Sequence, residues 1–266
     1  MKFAIYSRRL CIAGLLAISI TACTSGDNAE RDVLVSEILQ MNLKAVRGDT
    51  RNSGVRTTDK IVRISEADYT LVGRYRAAGI GLMRIDVFAG DDRVFSEGKD
   101  ENGVWEWPGG QDEPVNVDHD GVGALEHGIE FNLFALAELG DRGHEVELVG
   151  KEVVRETSYY VLKITLADGF ETYRYVNEDT WLVDMSRNIR ALHPGIDPTR
   201  KNIETRFDQW QRVDGVLFAS RSRDFVQGSD TPTQTGLVVS STYDAPLADL
   251  DLDRTYVPDG PPITSH

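Results

Sequence analysis

The stretch 79–108, GIGLMRIDVFAGDDRVFSEGKDENGVWEWP, decides how this chain folds. Leu82–Phe88, Val94–Glu97 and Val104–Trp107 are short runs of aliphatic and aromatic residues, each too short for an ordinary helix. Gly90-Asp91 and Asn102-Gly103 separate them, and residues of these types tolerate the positive φ that tight hairpins demand. Trp105 and Trp107 lie two apart and so share one face of a strand, with Glu106 on the other. Three antiparallel strands in a meander follow directly.

The same grammar extends both ways. Upstream, Ile61–Ile64 and Tyr69–Tyr75 read as strands. Downstream come Val146–Val149, Tyr159–Leu166, Phe170–Val176, Thr180–Ser186, Ile203–Arg212, Val216–Phe225 and Gly236–Tyr243. Leu162, Ile164 and Leu166 alternate with Lys163 and Thr165, as in a half-buried strand. Asp168-Gly169 and Asp214-Gly215 supply two more hairpin turns, and Gly79-Ile80-Gly81 reads as a bend. Two segments depart from this period. Arg31–Arg47 carries Leu34, Ile38, Met41 and Ala45 at helical spacing and stops at Gly48. Asp120–Gly140 carries Val122, Leu125, Ile129, Leu133, Leu136 and Leu139, which suits one or two short helices interrupted near Gly128. The expected fold is mainly β (α+β), with about ten or eleven antiparallel strands, an N-terminal helix and a helical insert midway. It forms one domain.

The N-terminus specifies a location. Lys2, Arg8 and Arg9 precede the apolar run Leu10–Ile20, which is shorter than the roughly 20 residues a membrane-spanning helix needs. The run ends in Ile20-Thr21-Ala22-Cys23, an aliphatic residue and two small ones before a cysteine, as in a bacterial lipobox. Residues 1–22 are therefore expected to be a lipoprotein signal peptide, with Cys23 the acylated (palmitate-class) N-terminus of the mature protein. Processing removes Cys11 and leaves no free thiol, so cysteine nucleophiles, thiolate metal sites and disulfides are excluded. It also removes three cations from a chain whose formal charge is already −14. So acidic a surface argues against nucleic-acid partners. Residues 23–30 read as a lipidated tether, whose seven residues after Cys23 reach at most about 23 Å. Thr24, rather than Asp, after the cysteine favours the outer membrane by resemblance to enterobacterial sorting. Residues 31–258 form the folded domain, and 259–266 a loose, Pro-containing tail.

No residue pattern points to catalysis. Gly-x-Ser-x-Gly elbows, phosphate loops and dinucleotide fingerprints are absent. Asp118-His119-Asp120, with His127 eight residues on, offers metal-ligating types without metalloprotease spacing, so the expectation is no metal, no cofactor and no enzymatic activity.

The order of the pieces resembles the lipoprotein-sorting carrier superfamily, the LolA/LolB-like proteins. The likeness rests on Gly79–Asp86, Glu97-Gly98 and Asn102–Pro108, where Gly103 and Trp107 match a Gly-x-x-x-Trp hairpin that follows an arginine-bearing strand. It continues in Glu147–Val153, Tyr173–Val176, Asp179–Val183, Phe207–Trp210, Val213–Phe218, Asp244–Leu247 and Tyr256–Pro258. The resemblance implies an incomplete antiparallel β-barrel around an apolar cavity, with helices as a lid and acyl chains of a lipid or an acylated protein inside. Arg84 matches the arginine that helps control lid closure in the sorting carrier; judged as a strand residue alone, it would sit on the surface. Cavity and lid residues are then expected among Leu82, Ile85, Phe88, Trp105, Trp107, Leu125, Ile129, Leu133, Leu162, Ile164, Tyr173 and Tyr175. The alternative is a module that uses the same sheet to bind or sense an envelope protein partner, without lipid cargo.

Overall fold

A computed structural model describes residues 24–48, 55–117, 121–192 and 197–262. The signal peptide, Cys23, Asp118-His119-Asp120 and His193 lie outside the described residues.

Helix α1 (Thr24–Arg47) is followed by β1 (Thr57–Ser65), β2 (Thr70–Ala78), β3 (Leu82–Ala89), β4 (Asp92–Asp100), β5 (Gly103–Pro108) and the two-residue β6 (Val115–Asn116). Helix α2 (Gly121–Leu133) and two 3₁₀ turns lead to β7 (Glu145–Val154), β8 (Thr157–Thr165), β9 (Glu171–Asn177), β10 (Val183–Arg190), β11 (Lys201–Val213), β12 (Val216–Val226) and β13 (Gln234–Tyr243). All thirteen strands form one antiparallel sheet, ordered β6-β5-β4-β3-β2-β1-β13-β12-β11-β10-β9-β8-β7. Two meanders, β1–β6 and β7–β13, are thus joined where the first strand pairs with the last. The sheet is open, with β6 and β7 at its edges, and the α2 segment carries the chain from one edge to the other.

The turns form where the residue types require. In Asp214-Gly215 both residues have positive φ (50° and 81°), closing Val213 against Val216. Gly90 (φ 62°) and Gly169 (φ 86°) do the same for their hairpins.

Three expectations are corrected. Thirteen strands replace ten or eleven; β6 is too short to show a period. Helix α1 begins at Thr24, so the segment expected as an extended tether is helical, which cuts its reach to about 1.5 Å per residue. Helix α2 runs unbroken through Gly128, where the Tyr75 hydroxyl donates to the Gly128 carbonyl (3.0 Å) and holds the helix against the sheet. The helix stops instead at Leu133.

Side chains show that the sheet curls. Lys60 on β1 donates to Asn132 of α2 (3.3 Å), while Arg174 on β9 lies over the ring of the adjacent Phe131 (4.1 Å). Five inter-strand steps separate β1 from β9, about 24 Å on a flat sheet. No single helical turn could touch both unless the sheet wraps round it. The helix-covered face is therefore concave, and the architecture is an incomplete barrel. Two apolar clusters fill its helix-covered part. One joins Tyr75, Ala77, Met83 and Val104 to Leu125, Ile129 and Leu133 of α2; the other joins Leu162, Ile164 and Val176 to Ile38 of α1.

Candidate functional site: the two faces of the half-barrel

Strand alternation sends neighbouring residues to opposite faces, and this divides the residues expected to line one cavity. Ile85, Leu125, Ile129, Leu133, Leu162 and Ile164 belong to the concave clusters. Leu82, Arg84, Phe88, Trp105 and Trp107 alternate with concave residues and face the other way. Tyr173 and Tyr175 pack with Tyr159, Val161 and Met185 in a separate cluster on that same outer face. Alternation is readable in each strand but the inward parity is not, since both faces of β3 and β5 carry large apolar side chains.

The outer face carries a buried charge cluster built by register. Asp59, Arg76, Arg84, Gly98, Trp105 and Asn116 oppose one another across β1 to β6, and Arg74, Asp86, Ser96 and Trp107 form the adjacent row. Arg76 and Arg84 are both 0% exposed and Asp86 is 1% exposed, so the surface position expected for Arg84 as a plain strand residue is overturned. Asp86 pairs with both guanidiniums and accepts from the Ser96 hydroxyl (2.5 Å). Further donors are met by the chain's end. Arg76 donates to the carbonyls of Leu250 (3.1 Å) and Asp251 (3.2 Å), and Arg84 to those of Asp253 and Tyr256 (2.7 Å for the latter). The Arg84 guanidinium lies between the rings of Trp105 and Tyr256, each 5.3 Å away. Burial pulls Arg76 down to about 10, against the pull of Asp86 in the other direction.

The segment Leu250–Tyr256 is thus a latch over buried charge, a role that sequence reasoning missed. Its signal was present in Arg76, Arg84 and Asp86 sharing one parity on neighbouring strands. A cavity of about 310 Å³ opens beside it, lined by Arg74, Arg76, Phe88, Tyr256 and the proline-containing stretch 258–262. That stretch contributes residues 259–262 of the expected tail to a defined site.

Gly98 completes the arrangement. A Cβ there would stand 2.5 Å from both the Met83 carbonyl and Trp105 Cζ2, so only glycine lets the indole lie across β4 toward Arg84. Gly98→Ala is expected to cost about 1–3 kcal/mol through overpacking, read as a lower urea midpoint. A midpoint equal to that of the parent would show that the indole has room to move.

The concave face has a different character. Beyond α2, Val62, Ile64, Leu71, Val87 and Val238 form a half-buried apolar strip on β1, β2, β3 and β13. Across the trough the floor turns polar: Arg174, Ser186, Thr205, Asp224 and Gln234 oppose one another from β9 to β13. Asp224 is engaged by Arg190 (2.8 Å) and by the Thr205 hydroxyl (2.5 Å).

A further concave row, Lys60–Tyr75–Ile85–Glu97–Glu106, sets two carboxylates opposite each other on β4 and β5. Burial, reinforced by the charge of Glu106, pushes Glu97 up to about 7. The folded form therefore holds its proton more tightly than the unfolded chain. Its contribution to stability is full below about pH 4.5 and is lost as pH rises through about 7. Glu97→Gln is expected to flatten the fall in urea midpoint over that interval and to raise the midpoint at pH 8. An unchanged pH profile in the variant would contradict this.

The described histidines are tied into the scaffold. His127 Nε2 contacts Asp168 (2.7 Å) and stacks on Phe170, and His144 contacts Glu130 (3.0 Å). Among the described residues no group of three or more His, Cys, Asp or Glu is placed to hold a metal.

No protein-family model and no curated protein matches the sequence. Solved structures do match in fold. A LolA superfamily protein from Nitrosomonas europaea aligns with a TM-score of 0.52 at 12% identity, covering 81% of this chain and 96% of its own. A domain from Vibrio parahaemolyticus named for outer-membrane lipoprotein sorting aligns at 0.53 and 8% identity, covering 82% and 95%. A DUF1329 family protein from Desulfovibrio piger aligns at 0.51 and 12% identity, covering 85% and 98%. With its open antiparallel sheet curled round a crossing helix, this chain has the fold of the LolA superfamily proteins.

Proposed function

We propose that this chain is a lipid-anchored protein of the bacterial outer membrane, facing the periplasm, that holds acyl chains of a lipid or an acylated protein in its half-barrel. One observation carries the reading. The concave strip of Val62, Ile64, Leu71, Val87 and Val238 stays half-buried, while Tyr75, Ala77 and Met83, packed against α2, are buried. Covering such a strip with an acyl chain gains about 0.8 kcal/mol per buried methylene. The fold shared with a domain named for lipoprotein sorting supports the same reading. A chain anchored through Cys23 receives or keeps cargo at one membrane and does not ferry it. The role is binding, not catalysis.

The test has two parts. Metabolic labelling with palmitate should mark the protein, and Cys23→Ser should abolish the label. The Cys23→Ser chain should take up palmitate or a fluorescent acyl probe in titration, with bound acyl ligand seen by native mass spectrometry. Absence of uptake, together with one stoichiometric envelope protein captured by crosslinking in cells, would favour the protein-interaction alternative.

A further inference from the structure

Among the described residues, two cations in the trough have no carboxylate partner. Lys60 is 8% exposed, and among the described residues its ammonium meets the neutral Asn132 amide and the rings of Tyr243 (5.6 Å) and Phe218 (5.8 Å). Arg174 Nε is shut off from solvent and has no hydrogen-bond partner, its guanidinium lying against Phe131. Neither makes an ion pair among the described residues. The two carboxylates in the Lys60 row, Glu97 and Glu106, stand three and four strands away, and neither forms an ion pair with Lys60. Asp224, in the Arg174 row, is three strands off and already serves Arg190.

An unpaired charge held away from water costs several kcal/mol, so folded chains ordinarily pair it. On the outer face Arg76 and Arg84 share the Asp86 carboxylate, Arg76 also meets that of Asp251 (3.8 Å), and four carbonyls accept from the pair, although Arg76 Nε too is left without a hydrogen-bond partner. Burial alone lowers Lys60 to about 8, and burial followed by the charge of Arg190 lowers Arg174 to about 10, so both remain largely charged at neutral pH. The contrast is chemical. The outer face meets its buried guanidiniums with carboxylates and carbonyls, and the trough leaves two cations without a carboxylate partner among the described residues, beside the last turn of α2. Asn132, the side chain that the Lys60 ammonium meets, is itself exposed.

We propose that Lys60 and Arg174 form the head-group end of the half-barrel site and select acyl ligands whose head carries an oxyanion, either a carboxylate or a phosphate. This rests on the acyl-binding reading above and narrows it to anionic amphiphiles. The ligand's head would supply the missing counter-charge while its chain lies along Val62, Ile64 and Val238.

The test is calorimetric titration of the Cys23→Ser chain with palmitate, hexadecyl phosphate, hexadecanol and inorganic phosphate. Palmitate or hexadecyl phosphate should bind at least tenfold more tightly than hexadecanol, and the better of the two identifies the head. Lys60→Met and Arg174→Met should each lower that preference at least threefold and leave hexadecanol affinity unchanged. Because each removes an unpaired charge, neither should lower the urea midpoint. Lys60→Arg should keep the preference. Hexadecanol binding as tightly as both anionic ligands, or variants that weaken all ligands alike, would overturn the head-group assignment and leave acyl binding standing. Inorganic phosphate matching hexadecyl phosphate would overturn the acyl part of the ligand. Failure of every amphiphile, hexadecanol included, would overturn the half-barrel reading itself.

Discussion

Asp86→Asn should destabilise the protein by about 3–5 kcal/mol, the cost of stripping a buried ion-pair cluster of its buried carboxylate. The substitution changes almost no volume, so packing cannot account for the loss. Asp86 pairs with both Arg76 and Arg84, all three side chains are at most 1% exposed, and the more exposed Asp251 carboxylate reaches only Arg76 (3.8 Å) among the described residues. Asparagine keeps one acceptor oxygen but turns the other into a donor facing guanidinium donors and the Ser96 hydroxyl. Urea denaturation followed by tryptophan fluorescence reads the effect, since Trp105 stacks on Arg84. A loss below about 1 kcal/mol would place this pair in the range of solvent-exposed ones and refute the account of the outer face.

The second large effect is expected from ending the chain after Leu250. That removes the Asp251, Asp253 and Tyr256 carbonyls, three acceptors to buried guanidinium groups. Hydrogen bonds to charged groups contribute about 1.5–3 kcal/mol each, so the truncated chain should lose on the order of 5 kcal/mol. Trp105 and Phe88, now 0% and 2% exposed, would also meet water. Tyr256→Ala separates the contributions, because it keeps the backbone acceptor and removes only the ring over Arg76 and Arg84. It should cost about 1–2 kcal/mol, in keeping with desolvated cation–π contacts. A truncated chain with parental stability would show that Leu250–Tyr256 is an unloaded tail.

The legibility of this chain was uneven for physical reasons. Hairpins were readable because turn geometry is local: Asp214-Gly215 and Gly90 adopt the positive φ that their residue types permit. The curvature was not, because it appears only where Lys60 and Arg174 reach adjacent residues of one helix across five strand steps. The site residues divided for a related reason. Period two fixes which side chains share a face but not which face the helices cover. Ile85 and the α2 residues therefore fell inside, while Trp105, Trp107 and Arg84 fell outside. The latch went unread because Asp251–Tyr256 works through backbone carbonyls, which any sequence would supply, and the segment looks like an acidic, loose end.

The two faces now have distinct roles. The outer face braces the first meander with paired buried charge, and the concave face carries the apolar strip and the two cations of the proposed site. One measurement separates them: photo-crosslinking of a diazirine-bearing palmitate to the Cys23→Ser chain, with the modified residues located by peptide mass spectrometry. Crosslinks should fall on the β1, β2 and β13 segments that carry Val62, Ile64, Leu71 and Val238, and on α2 near Phe131. Crosslinks confined to the outer face, at Phe88, Trp107 or Tyr173, would contradict the assignment of the acyl site to the concave face.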